Sequence, residues 1–152
     1  MKQPFNPTRI LVPCDFSRHS RAALEAARLW ANAFDSTVNA LYVVEEDASA
    51  DKNADTSSAS IQEYYEKHSG EASVKLKDLA RSELRGVTSE TAVRTGHPAV
   101  EILAEAKAFG ARLIIMPSRG LTVLDRLATG SVAERVIQGA RCPVLVTGRN
   151  RF

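Results

Sequence analysis

Between Leu113 and Thr147 the chain reads as strand, loop with glycines, helix and strand, and this succession limits the possible folds more than any other stretch. Leu113-Ile-Ile-Met116 is a short apolar run. Pro117-Ser-Arg-Gly120 follows, then nine residues, then Gly130-Ser131. Val132-Ala-Glu-Arg-Val-Ile-Gln138 has a helical pattern, and Pro143-Val-Leu-Val-Thr147 is a second apolar run. Two such runs joined through a helix form the repeating unit of a parallel sheet. The predicted class is therefore α/β.

The loop carries the chemistry of this unit. Gly120 and Gly130 can adopt backbone angles closed to other residues. Ser131 is placed to cap the helix beginning beside it. A helix N-terminus with free N–H groups is a ready anion site. Spacing alone leaves two readings open: turn and cap residues only, or a phosphate site. Ser118, Arg119 and Ser131, together with Asp15 from the first loop, are the polar groups available to such a site.

A chain of 152 residues suits one domain with a sizeable core, here taken as 1–152. Its 20 Lys and Arg against 18 Asp and Glu are interspersed, so no basic stripe points to nucleic acid. No run approaches the roughly 18 apolar residues of a membrane span, and the polar start does not read as a signal peptide. Two cysteines make no disulfide framework, so a reducing cytoplasm is the expectation.

Taken in order, Arg9 to Pro13 reads as the first strand, with Cys14-Asp-Phe-Ser17 as its exit loop. Ligands of open α/β sheets sit beyond the carboxyl ends of strands, which singles out Asp15. A turn or helix-start role for Asp15 is the plain alternative. Cys14 reads as a small buried hydrophobe, without a Cys-x-x-Cys partner. Ser20 to Phe34 reads as a helix with Ala23, Ala27, Trp30 and Phe34 on one face, Trp30 being a core anchor. Thr37 to Val44 is the second strand. Residues 45–60 are acidic, small and polar and read as a mobile loop, either a solvated insertion or a lid.

Ile61 to Leu84 is a long helix with Ala72, Leu76 and Leu79 on one face, and Thr88 to Thr95 a third strand suited to a sheet edge. Pro98 opens a helix running to about Phe109, with Val100, Leu103 and Ala106 inward, and Gly110 stops it. His97 reads as a turn residue. Ala111 to Met116 is apolar throughout, as in a strand covered on both faces. Cys14 and Cys142 fall at opposite ends of a parallel sheet.

Several chemistries lack their signatures. There is no Gly-x-x-x-x-Gly-Lys-Ser/Thr loop and no dinucleotide fingerprint at the first helix. Three scattered histidines and two separated cysteines offer no metal cluster, and no Gly-x-Ser-x-Gly marks a nucleophile. No residue is nominated as catalytic. A pocket of this kind is a binding module or at most a slow hydrolase.

Gly120, Gly130-Ser131, Gly-Ser-Val-Ala-Glu-Arg-Val (130–136), Cys-Pro-Val-Leu-Val (142–146), Ile10-Leu-Val-Pro-Cys-Asp-Phe-Ser17 and Gly96-His-Pro-Ala-Val-Glu-Ile102 together resemble the universal stress protein family. The resemblance covers nearly the whole chain apart from 45–70. It implies a doubly wound, Rossmann-like open sheet of five parallel strands in the order 3-2-1-4-5, with helices on both faces. Its switch point then lies between strands one and four, where Asp15 and Pro117 to Gly120 emerge. It implies ATP or a related adenine nucleotide, with Mg2+ bound through the phosphates, held by Pro13, Asp15, Val43, Pro117, Ser118, Arg119, Gly120, Gly130, Ser131 and Val132. It also implies a homodimer through Val144, Leu145 and Val146 of the last strand, and a protein partner it does not name.

One element departs from the family pattern. The nucleotide-binding branch carries Gly-x-x-Gly, and Pro117 stands where its first glycine belongs. Proline has no N–H and a fixed φ. The alternatives are thus a stress-associated nucleotide-binding regulator, a nucleotide-free dimeric interaction protein with no cofactor, and a weak phosphohydrolase.

Overall fold

The computed structural model describes residues 5–46, 58–118 and 131–148. In chain order the elements are β1 (Arg9–Cys14), α1 (Arg18–Phe34), β2 (Thr37–Glu45), α2 (Ser58–Glu83), β3 (Ser89–Gly96), α3 (Pro98–Phe109), β4 (Leu113–Pro117), α4 (Ser131–Gly139) and β5 (Val144–Thr147). The strands form one five-stranded parallel sheet in the order β3-β2-β1-β4-β5. This is the expected doubly wound α/β fold.

Alternation along the strands sends side chains to two separate cores. Ile10, Val12, Val38 and Ala40 face α1 and α2, where they meet Ala23, Leu24, Ala27, Leu76 and Leu79. Leu11, Leu41, Ile114 and Met116 face the other way, toward Ala99 and Ile102 of α3 and Val132 and Val136 of α4. The central strands β1 and β4 are buried along almost their whole length, which explains their unbroken apolar runs. β3 is an edge strand, and its looser alternation fits that position.

Several sequence expectations shift. α1 buries Ser20, Ala23, Leu24, Ala27 and Ala31. Trp30 is only half-buried: it packs against the edge of the core and stacks on the exposed Phe34 at 5.3 Å. Small residues let α1 lie close to the sheet, and a bulky ring fits better beside that contact. Val100 of α3 is 59% exposed, not inward; Ala99 and Ile102 take the core face. The acidic stretch is shorter than 45–60: β2 extends through Glu45 and α2 starts at Ser58. Residues 47–57 lie outside the described residues. Among the described residues no helix is long and apolar enough to cross a membrane.

A polar network fixes α3 against the sheet. Arg94 of β3 donates from Nε to Glu105 Oε2 at 2.6 Å and from a terminal nitrogen to Glu101 Oε2 at 3.3 Å. Asn39 of β2 donates from Nδ2 to Glu105 Oε1 at 2.9 Å. The paired carboxylates raise the Arg94 pKa, first through the Glu105 hydrogen bond. Gly96 makes room for the same helix: a Cβ there would stand 2.9 Å from Glu101 Oε1.

Candidate functional site

The strand order reverses between β1 and β4, and these two strands part company at their carboxyl ends. Their pairing is recorded at Ile10↔Leu113 and Leu11↔Ile114, although β1 continues to Cys14 and β4 to Pro117. Pro13 and Pro117 stand in the diverging segments, and neither can donate to a ladder. A crevice at such a reversal is where ligands of this fold class bind.

A cavity of about 320 Å3 opens beside it. Pro13, Cys14 and Asp15 come from β1 and its exit. Leu41, Tyr42, Val43 and Glu45 come from β2, and Pro98 and Ile102 from the start of α3. Polar and apolar atoms share its surface about equally. Among the described residues its charged groups are the two carboxylates of Asp15 and Glu45, with no Lys, Arg or His in the lining. Burial, then Glu45, then Asp15 push the Tyr42 phenol pKa up. Burial and, second, Asp15 push the Cys14 thiol up strongly, and its Sγ faces the Val12 carbonyl at 3.4 Å.

Asp15 takes the turn role and also borders the cavity. It lines the cavity, and its Oδ1 accepts the Ser17 N–H at 3.0 Å in a tight turn. Ser17 then caps α1, its Oγ accepting the Ser20 N–H at 3.3 Å. Phe16 between them has φ 64°.

The expected site residues fall into three groups. Pro13, Asp15 and Val43 line this one cavity. Pro117 and Ser118 sit at the end of β4, where Pro117 is buried and pairs with Thr147. The Ser118 N–H donates to the Thr147 carbonyl at 3.1 Å, so it extends the ladder toward β5. Ser131 and Val132 form the first turn of α4. Ser131 is the first described residue of α4, and it is exposed; the residues before it lie outside the described ones. Val132 is buried in the same apolar cluster as Leu41 and Ile102, so its side chain faces the core and leaves its N–H as the group it can offer. Arg119, Gly120 and Gly130 lie outside the described residues.

Glu45, Pro98 and Ile102 also line the cavity but carried no sequence signal strong enough to nominate them. Glu45 read as the start of the acidic loop, and Ile102 as one more core position of a helix. Only the approach of α3 to β2 reveals them. Among the described residues no group of three His, Cys, Asp or Glu side chains could hold a metal ion.

The universal stress protein family model matches residues 7–148. The chain belongs to this family. The universal stress protein MJ0531 of Methanocaldococcus jannaschii is 41% identical over 138 residues, which are 91% of this chain and 80% of that protein. The solved structure of MJ0577 from the same organism has a TM-score of 0.78 at 29% identity, covering 95% of this chain and 98% of its own. UspA of Lactobacillus plantarum gives 0.78 at 26% identity, covering 93% of this chain and 97% of its own.

More distant structures share the fold alone. One is a universal stress protein in complex with cAMP, at 18% identity and a TM-score of 0.64, covering 95% of this chain and 99% of its own. Another, from Archaeoglobus fulgidus in complex with dAMP, has 20% identity and a TM-score of 0.60, covering 94% and 98%.

Proposed function

We propose that this chain is a stress-associated regulatory protein that binds ATP or a related adenine nucleotide at the β1/β4 switch point. The observation that carries the reading is the cavity uniting Pro13, Asp15 and Val43 from two adjacent strands. The cAMP and dAMP complexes support it to the extent that proteins of this fold hold adenine nucleotides.

The sheet order suggests how the ligand lies. Along the carboxyl edge the elements run β2, β1, β4, so Val43 meets the base, Asp15 the ribose, and the α4 end the phosphates. The Asp15 and Glu45 carboxylates accept hydrogen bonds and repel anions, which suits a nucleoside in the cavity and phosphates outside it. Phosphate oxygens would meet the free N–H groups of the first turn of α4, the Ser131 hydroxyl and the 119–130 segment, with Mg2+ travelling on the phosphates.

The end of β4 contributes little to this. Pro117 has no N–H, and the Ser118 N–H is engaged by Thr147. A missing hydrogen bond to a charged acceptor costs about 1.5–3 kcal/mol. The same observation favours the second reading, a nucleotide-free dimeric interaction protein. Calorimetry with ATP separates the two. The expected result is heat with wild type, weaker binding for Gly130→Ala and tighter binding for Pro117→Gly. Binding only after Pro117→Gly would support the interaction protein. Silence from both proteins would remove the phosphate site.

A further inference from the structure

Among the described residues two that are not glycine have positive φ, Phe16 at 64° and Asp35 at 51°. Asp35 is the C-cap of α1, a position where the left-handed conformation is common. Phe16 lies between a strand and a helix, and a bulky aromatic residue is an outlier there. Strain of this kind persists only where the surroundings over-determine it, and it concentrates at functional sites.

The surroundings of Phe16 do so. Its ring packs on Tyr42 with centroids 4.7 Å apart. On the same ring Lys75 of α2 places Nζ 4.4 Å from the centroid. The residue before it is Asp15, whose Oδ1 reaches across to the Ser17 N–H. Tyr42 and Asp15 both line the cavity. We propose that Phe16 is a positioning residue: its ring, held by Tyr42 and Lys75, maintains the left-handed turn that aims Asp15 along the cavity wall. The functional half of this inference rests on the nucleotide reading of the cavity. The ring also links α2 and β2 to the exit of β1.

Glycine separates this role from simple backbone relief, because it takes positive φ without a steric penalty. If φ alone matters, Phe16→Gly keeps the turn. If the ring holds it, Phe16→Gly loses the turn even though strain is removed. The Ser17 amide reads this directly, since its partner is the Asp15 carboxylate. Its hydrogen exchange, followed by NMR without nucleotide, is compared in wild type, Phe16→Tyr, Phe16→Gly and Phe16→Ala. Calorimetry with ATP follows on each.

Phe16→Tyr keeps the ring and should exchange like wild type. Phe16→Ala should exchange about ten-fold faster, as loss of the ring and cation contacts implies, and bind ATP about ten-fold more weakly. Phe16→Gly should exchange and bind as poorly as Phe16→Ala does. Wild-type exchange in Phe16→Gly would overturn the proposal. Fast exchange with wild-type affinity would overturn its link to binding. A wild type that binds no ATP defeats the nucleotide reading, and the exchange comparison still decides what holds the turn.

Discussion

Glu105 accepts hydrogen bonds from two strands at once, from Asn39 at 2.9 Å and Arg94 at 2.6 Å. Its side chain is 13% exposed and that of Arg94 30%, so water screens the pair only in part. Asn39 is buried, and its Oδ1 has no partner among the described residues. Replacing Glu105 by leucine would leave the Asn39 amide without its acceptor and Arg94 with Glu101 alone. We expect a loss of about 2–3 kcal/mol in urea unfolding, below the full cost of breaking a buried pair because Arg94 is partly wet. A loss below half a kcal/mol, within the range of neutral surface changes, would show the network to be ornamental.

The two thiols give a second expectation at this scale. Burial raises both pKa values, with Asp15 adding to the effect at Cys14 and Arg112 opposing it at Cys142. Native Cys142, being half-buried, should react with a thiol reagent well before the buried Cys14. Equal rates would contradict the burial. The sign for stability follows from proton linkage. A thiol pKa raised by folding means that the native state holds its proton more tightly. That contribution is complete below the ordinary value of 9.0 and is lost as pH rises beyond it.

At the scale of elements, α1 depends on the turn before it. Ser17 accepts the Ser20 N–H, and removing such a cap costs about 1 kcal/mol. Ser17→Ala should lower the melting temperature accordingly, and an unchanged melting curve would show that the cap contributes nothing. Elements were legible in the sequence where burial was uniform. Leu113 to Met116 could only be a covered strand, and Ala72, Leu76 and Leu79 could only be one face of a helix. Boundaries were not legible where polar residues continue an element, as at Glu45 and Ser58. The site was legible at Asp15, which follows an obvious strand. Ile102 and Pro98 were not, because they join it only when α3 crosses β2, and a linear pattern carries no record of that crossing.

At the scale of the whole molecule, the sheet leaves β5 as an edge, paired among the described residues only with β4. Val144, Leu145, Val146 and Thr147 are half-buried, and an apolar edge of this kind offers free backbone groups to another chain. We propose that two copies meet through β5, as the family resemblance implies. Light scattering at micromolar concentration should give a dimer for wild type and a monomer for Val146→Lys. A wild-type monomer would rule the arrangement out. The sheet itself has a different consequence. It works as a partition, with α1 and α2 behind it and α3 and α4 on the side of Ile102 and Val132. Each side carries a buried core of its own, so a cavity-making substitution on one side is expected to lower the melting point without repacking the other. The two cores can therefore change their composition along separate histories, each repacked without the other.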